Sequence, residues 1–166
     1  MKVLVAYVSR TGNTKKVAEA IFQAIQVEKE IKELEALDGL EGYDLCFVGF
    51  PVEAYGPAQP AKVFLEKHAA GKDIALFITH AAPEDGELLP QWLEACRASA
   101  VGANIVGLFN CQGELSEEIA EFMKSSGDPQ WAAWAEHRPA TLGQPDAKRL
   151  KRARVFARNI MKKYSV

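Results

Sequence analysis

The chain has 166 residues, of which 48% are apolar and 25% charged, enough apolar surface for one folded core and too much for a disordered chain. Its net charge of −2 and pI near 6.0 argue against a protein that coats nucleic acid. No apolar run reaches the length of a membrane span, and the three cysteines form neither a CxxC pair nor a disulfide framework. These features predict one domain over residues 1–166, cytoplasmic, with reduced thiols and with neither membrane nor nucleic acid as partner.

In chain order, a short run apolar throughout, Val3–Val8, reads as a buried strand rather than a signal peptide, because it passes directly into polar Ser9-Arg10-Thr11. A helix follows from near Asn13, with Val17, Ala18, Ile21, Phe22 and Ile25 on one face. A more polar strand near Glu30–Leu34 suits a sheet edge. Runs at 45–50, 74–78 and 105–109 are apolar on both faces, as strands of a helix-covered parallel sheet must be. Helices are predicted from near Pro60 to Gly71, from Glu87 to Val101, from Ser116 to Lys124, and from Pro145 nearly to the end. Residues 125–144, which carry Trp131, Trp134 and His137, read as irregular. Five strands alternating with helices predict an α/β, doubly wound sheet.

Charge is uneven along the chain. Residues 1–144 hold 12 Lys and Arg against 21 Asp and Glu, a net of −9; residues 145–166 hold 8 against one, a net of +7. The final helix is therefore a basic element on an acidic body, either a solvated face or a docking patch for an acidic partner.

The segment Ser9-Arg10-Thr11-Gly12-Asn13-Thr14 joins the first strand to the first helix. A phosphate there would meet the free N–H groups and positive dipole end of the helix, with three hydroxyls as further donors. The loop has neither the Walker lysine nor GxGxxG, which excludes the usual ATP and dinucleotide patterns. His68, His80 and His137 lie on separate elements, so no metal-ligand spacing arises.

Strand plus Ser-x-Thr-Gly-x-Thr resembles the FMN phosphate loop of the flavodoxin family. The resemblance implies a flavodoxin-like three-layer αβα sandwich with a five-stranded parallel sheet of order 2-1-3-4-5, here with an extra loop or helix after the fifth strand. It implies FMN bound by Ser9, Arg10, Thr11, Gly12, Asn13 and Thr14 at the phosphate. The ring would lie against Pro51, Val52, Glu53, Ala54, Tyr55 and Gly56, with Tyr55 as the stacking candidate. Thr79, His80, Ala81 and Ala82 would meet its pyrimidine edge. His80 either bonds the flavin or caps its own loop. The implied function is electron transfer to or from a redox partner protein docking near the flavin loops or the basic last helix. The alternatives are an FMN-dependent reductase of a quinone or similar acceptor, and a binding module of this fold without flavin. The carrier is favoured over a stand-alone oxidoreductase. Cys46, Cys96 and Cys111 are expected to be inert buried thiols.

Overall fold

The computed structural model describes residues 1–165. Five strands lie parallel: β1 (Lys2–Tyr7), β2 (Glu28–Glu33), β3 (Leu45–Glu53), β5 (Asp73–His80) and β6 (Asn104–Gln112). Their order across the sheet is β2-β1-β3-β5-β6, the expected doubly wound order once the two-residue strand β4 (Gly56–Pro57) is set aside. That extra strand turns back antiparallel on the end of β3, pairing Val52 with Pro57 and Glu53 with Gly56. Pro51, Val52 and Glu53 are thus strand residues, and the loop they were expected to form narrows to Ala54 and Tyr55.

Helices cover both faces. The helices α1 (Asn13–Ala24) and α7 (Ala147–Lys162) pack on one side, where Val17, Ala18 and Ile21 meet Ala153, Ala157 and Ile160 over Val3, Val5, Phe47 and Phe77. On the other side α2 (Gln59–His68) and α3 (Leu89–Ala98) seal Leu4, Val48, Phe50 and Leu76 with Ala61, Leu65 and Cys96. The central strands are buried on both faces, and their continuous apolar runs follow from that. All three cysteines are buried, and desolvation pushes their thiols up to about 12, so they carry no thiolate near neutrality.

After β6, α4 (Glu117–Ser125) forms where a helix was expected, whereas residues 125–144, expected to be irregular, are mostly helical: α5 (Pro129–Ala135) and α6 (Arg138–Thr141). The start signals are conventional. Ser116 accepts from the Ile119 N–H, and Asp128 accepts from Gln130 and Trp131, with Pro129 in the first turn. The helices are short, and hydrophobic periodicity over seven residues is too brief to read.

Candidate functional site

The carboxyl ends of β1, β3 and β5 open on one cavity of about 620 Å³, at the point where the strand order reverses. That volume lies in the range of small-molecule sites, and its place is the one an open α/β sheet offers a ligand.

One end is the segment Ser9–Thr14. Gly12 caps α1 with φ 94, a left-handed conformation that favours glycine, and a Cβ at this position would meet only open space. The first-turn N–H groups of α1 have no partner within the helix, and that of Lys15 donates to Ser9 Oγ. All three hydroxyls line the cavity, but they are not equivalent. Ser9 Oγ already accepts from the Gly12 and Lys15 N–H groups at 3.1 and 3.3 Å, leaving only its proton to donate. Thr14 is buried, and its Oγ1 is 2.8 Å from Thr79 Oγ1. Thr11 is exposed and lines the cavity. Asn13 faces inward as well, donating through Nδ2 to the Glu114 carbonyl at 2.9 Å. Arg10 reaches across to Glu53 with Nε–Oε1 of 2.9 Å, tying the loop before α1 to the end of β3.

The opposite wall is aromatic. Ala54 and Tyr55 both have positive φ, 48° and 70°, as the two central residues of a type I′ hairpin turn require. Neither is glycine, so the turn stores roughly 1–2 kcal/mol per residue. Ring contacts hold it. Tyr55 lies 5.6 Å from Trp92 and 5.9 Å from Trp134, and the two tryptophans lie 4.9 Å apart. Trp131 Nε1 donates to Tyr55 Oη at 2.8 Å. The chain's three tryptophans thus gather at Tyr55, two of them delivered by α5. The same insertion brings Ile119, Phe122 and Met123 of α4 to the cavity. Trp92 and the α4 side chains were not foreseen as site residues; the visible signal was a tryptophan beside an otherwise ordinary apolar helix face.

The third side is the loop after β5. Thr79, His80, Ala81 and Ala82 all line the cavity. His80 has 4% exposure, and both ring nitrogens are engaged: Nδ1 lies 3.0 Å from the Ala82 carbonyl and Nε2 3.0 Å from the Asn110 side-chain amide. It caps its own loop and has no nitrogen left for a ligand. Burial holds its pKa below the ordinary value of 6.5, against the raising effects of Asn110 and Ala82. The Ala82 carbonyl and Asn110 Oδ1 are both acceptors, so a neutral ring donates to one of them and a protonated ring to both. Because the folded state favours neutral His80, its contribution to stability is complete above about pH 6.5, the unfolded value, and is lost as pH falls toward the lower folded value. Urea unfolding from pH 8 to 5 is expected to show this loss in the wild type and a flatter profile in His80→Gln. Asn110 and Gln112 also hold this loop, and neither was anticipated.

The cofactor-binding candidates therefore converge on one cavity, with Gly12 and Gly56 contributing backbone shape behind its lining. Among the described residues no group of three or more His, Cys, Asp or Glu side chains could hold a metal ion, and no helix is long and apolar enough to cross a membrane.

The comparisons agree with this geometry. A flavodoxin domain family model matches residues 4–158. The chain is 35% identical to the flavodoxin-like domain-containing protein BilS of Clostridioides difficile (strain CD3), covering 100% of this chain and 99% of that one. Oxidised flavodoxin 2 from Bacillus cereus matches in fold with a TM-score of 0.65 at 22% identity, over 98% of this chain and 99% of that one. A flavoprotein in complex with FMN from Lactobacillus acidophilus NCFM matches at 25% identity and a TM-score of 0.54, over 66% of this chain and 92% of that one. Strand order, a cavity where that order reverses, and sequence likeness lead to one conclusion: this chain belongs to the flavodoxin domain family.

Proposed function

We propose that the chain is an FMN-binding electron carrier of the cytoplasm. The observation that carries this reading is the single cavity with an anion-binding helix terminus at one end and a wall of aromatic rings at the other. A molecule with a phosphate dianion and a flat conjugated ring fits both ends. The likeness to a flavoprotein bound to FMN supports the choice of flavin.

The residues divide the work. Thr11 and the first-turn N–H groups of α1 hold the phosphate, and the Arg10–Glu53 pair fixes that loop against β3. Tyr55, Trp92 and Trp134 form a rigid apolar wall for the ring. The α4–α5 insertion keeps water from that side. When bound, FMN supplies one- and two-electron chemistry; the protein supplies position, charge and exclusion of solvent.

A second reading has one observation behind it. Ile119, Phe122 and Met123 line the cavity beyond the cofactor loops, as an apolar subsite for a quinone-like acceptor would need. The FMN-loaded protein mixed with NAD(P)H and a quinone decides between the two. A carrier gives no steady turnover until a separate reductase is added; rapid turnover without one would make the protein a reductase.

The partner docks, in this reading, by charge. Arg149 and Arg152 are engaged by Glu84 at 2.9 and 3.0 Å, so steering falls to other basic residues of α7, including exposed Lys151 and Arg158. With an acidic redox partner, Lys151→Glu with Arg158→Glu is expected to slow electron exchange at low salt. The difference should fade near 0.5 M salt, where the screening length is roughly 4 Å. Stopped-flow across a salt series checks it; identical salt dependence in both proteins would leave α7 a solvated face.

A further inference from the structure

We propose that Glu84, gripped by Arg149 and Arg152 of the last helix, is a positioning residue for the ring end of the cavity. The inference rests on the flavin reading above and concerns residues that lie behind the cavity wall rather than in it.

Ala81, Ala82 and Pro83 face the cavity, whereas the Glu84 side chain faces the other way, into a shallow depression it shares with Gln112 and Arg149. Its Oε1 accepts from Arg149 Nε at 2.9 Å, from the Gln112 backbone N–H at 3.3 Å and from Arg152 Nη1 at 3.3 Å; Oε2 accepts from the same Arg152 Nη1 at 3.0 Å. Arg149 is itself aimed by Asp146, the cap of α7, with Nη1–Oδ2 of 3.2 Å. The carboxylate therefore joins three elements: the loop after β5, the end of β6 and the start of α7.

The same β6 residue holds the inner part of the loop. Gln112 Nε2 donates to the carbonyls of Ala81 and Ala82 at 3.3 and 3.2 Å, and the Gly113 N–H donates to the His80 carbonyl at 2.7 Å. The carbonyls of residues 80–82 are thus all drawn toward β6. In a trans peptide the N–H points opposite to the carbonyl. The N–H groups of Ala81 and Ala82 are consequently turned away from β6, as donors for the carbonyl oxygens along a flavin's pyrimidine edge.

Alanines cannot anchor these donors through their own side chains. A shift of a few tenths of an ångström would lengthen every bond they make, and the far end of the loop decides whether that shift occurs. Glu84 fixes that far end with a charge-assisted set of bonds in a half-buried setting, which is stronger than neutral bonding would be. The basic character of the first turns of α7 thereby has an internal use: two of its arginines work for the cofactor loop.

The test compares FMN and riboflavin binding, and the flavin potential, in wild type, Glu84→Ala, Glu84→Gln and Arg149→Ala/Arg152→Ala. Losing a hydrogen-bonded charged anchor should weaken both ligands by roughly tenfold and in the same proportion, because the ring end is common to them. This differs from loss of a phosphate-loop hydroxyl, which weakens FMN alone. The potential should move in Glu84→Ala, Glu84→Gln should recover part of the affinity, and combining Glu84→Ala with the arginine changes should add nothing. Should Glu84→Ala fold poorly, Glu84→Gln, with its shape kept, carries the comparison. Lower melting temperature with unchanged affinities and potential would overturn the proposal, reducing the clamp to a structural tie. Failure of the flavin reading looks different: the wild type itself would take up neither ligand, and both proposals would fall.

Discussion

Replacing Thr11 and Thr14 by alanine is expected to give two different losses. Thr11 is exposed at the cavity, and Thr11→Ala removes a hydroxyl donor to a charged phosphate, at a cost of roughly 1.5–3 kcal/mol in FMN affinity. Riboflavin, which has no phosphate, should bind Thr11→Ala as it binds wild type. Thr14 is buried against Thr79, and Thr14→Ala leaves that second hydroxyl without its partner. The cost, about 1–3 kcal/mol, should appear in global stability as a lower urea midpoint. Titrating both ligands into both variants separates the effects. Equal weakening of FMN and riboflavin by Thr11→Ala would mean that the phosphate sits elsewhere.

Trp92→Ala is expected to be the most destabilising single change at the site. Trp92 is 6% exposed and touches both Tyr55 and Trp134. Truncating a buried tryptophan costs about 3–5 kcal/mol. Here it also withdraws the support that holds Ala54 and Tyr55 at positive φ, so the turn is free to relax and the ring wall is lost. Urea unfolding should show a large fall in midpoint at a similar slope, and FMN binding should weaken in the folded protein. By contrast, Trp131→Phe removes only the donor to Tyr55 Oη, a cost of roughly 0.5–1.5 kcal/mol. Similar stability in Trp92→Ala and Trp131→Phe would contradict this assignment of the aromatic wall.

The sheet was legible because its central strands are apolar on both faces, a pattern that parallel packing imposes at every position. The phosphate end was legible because its residues are contiguous: Ser9 to Thr14 form one turn between β1 and α1. The ring end was not. Its wall assembles Tyr55, Trp92 and Trp134 from three distant segments, and only tertiary packing reveals that they meet. Tyr55, expected to stack on the flavin by itself, has its ring and hydroxyl engaged by tryptophans. Of the two roles the sequence left open for His80, the structure gives the capping one: its nitrogens lie against Ala82 of its own loop and Asn110 of β6. The basic last helix read as either a solvated face or a docking patch, and neither reading foresaw that Arg149 and Arg152 bond Glu84, a carboxylate half-buried at the loop and satisfied by paired guanidinium donors. Single-sequence periodicity shows which face of a helix is apolar, but not which loop its charged end meets.

The most direct test of the account is an absorbance spectrum of the purified protein, before and after addition of FMN and then riboflavin. The account predicts a flavin spectrum perturbed from that of free FMN, one FMN per chain, quenched fluorescence from the Tyr55, Trp92 and Trp134 wall, and tighter binding of FMN than of riboflavin. An FMN spectrum and fluorescence identical to those in buffer, with no saturable binding, would contradict it.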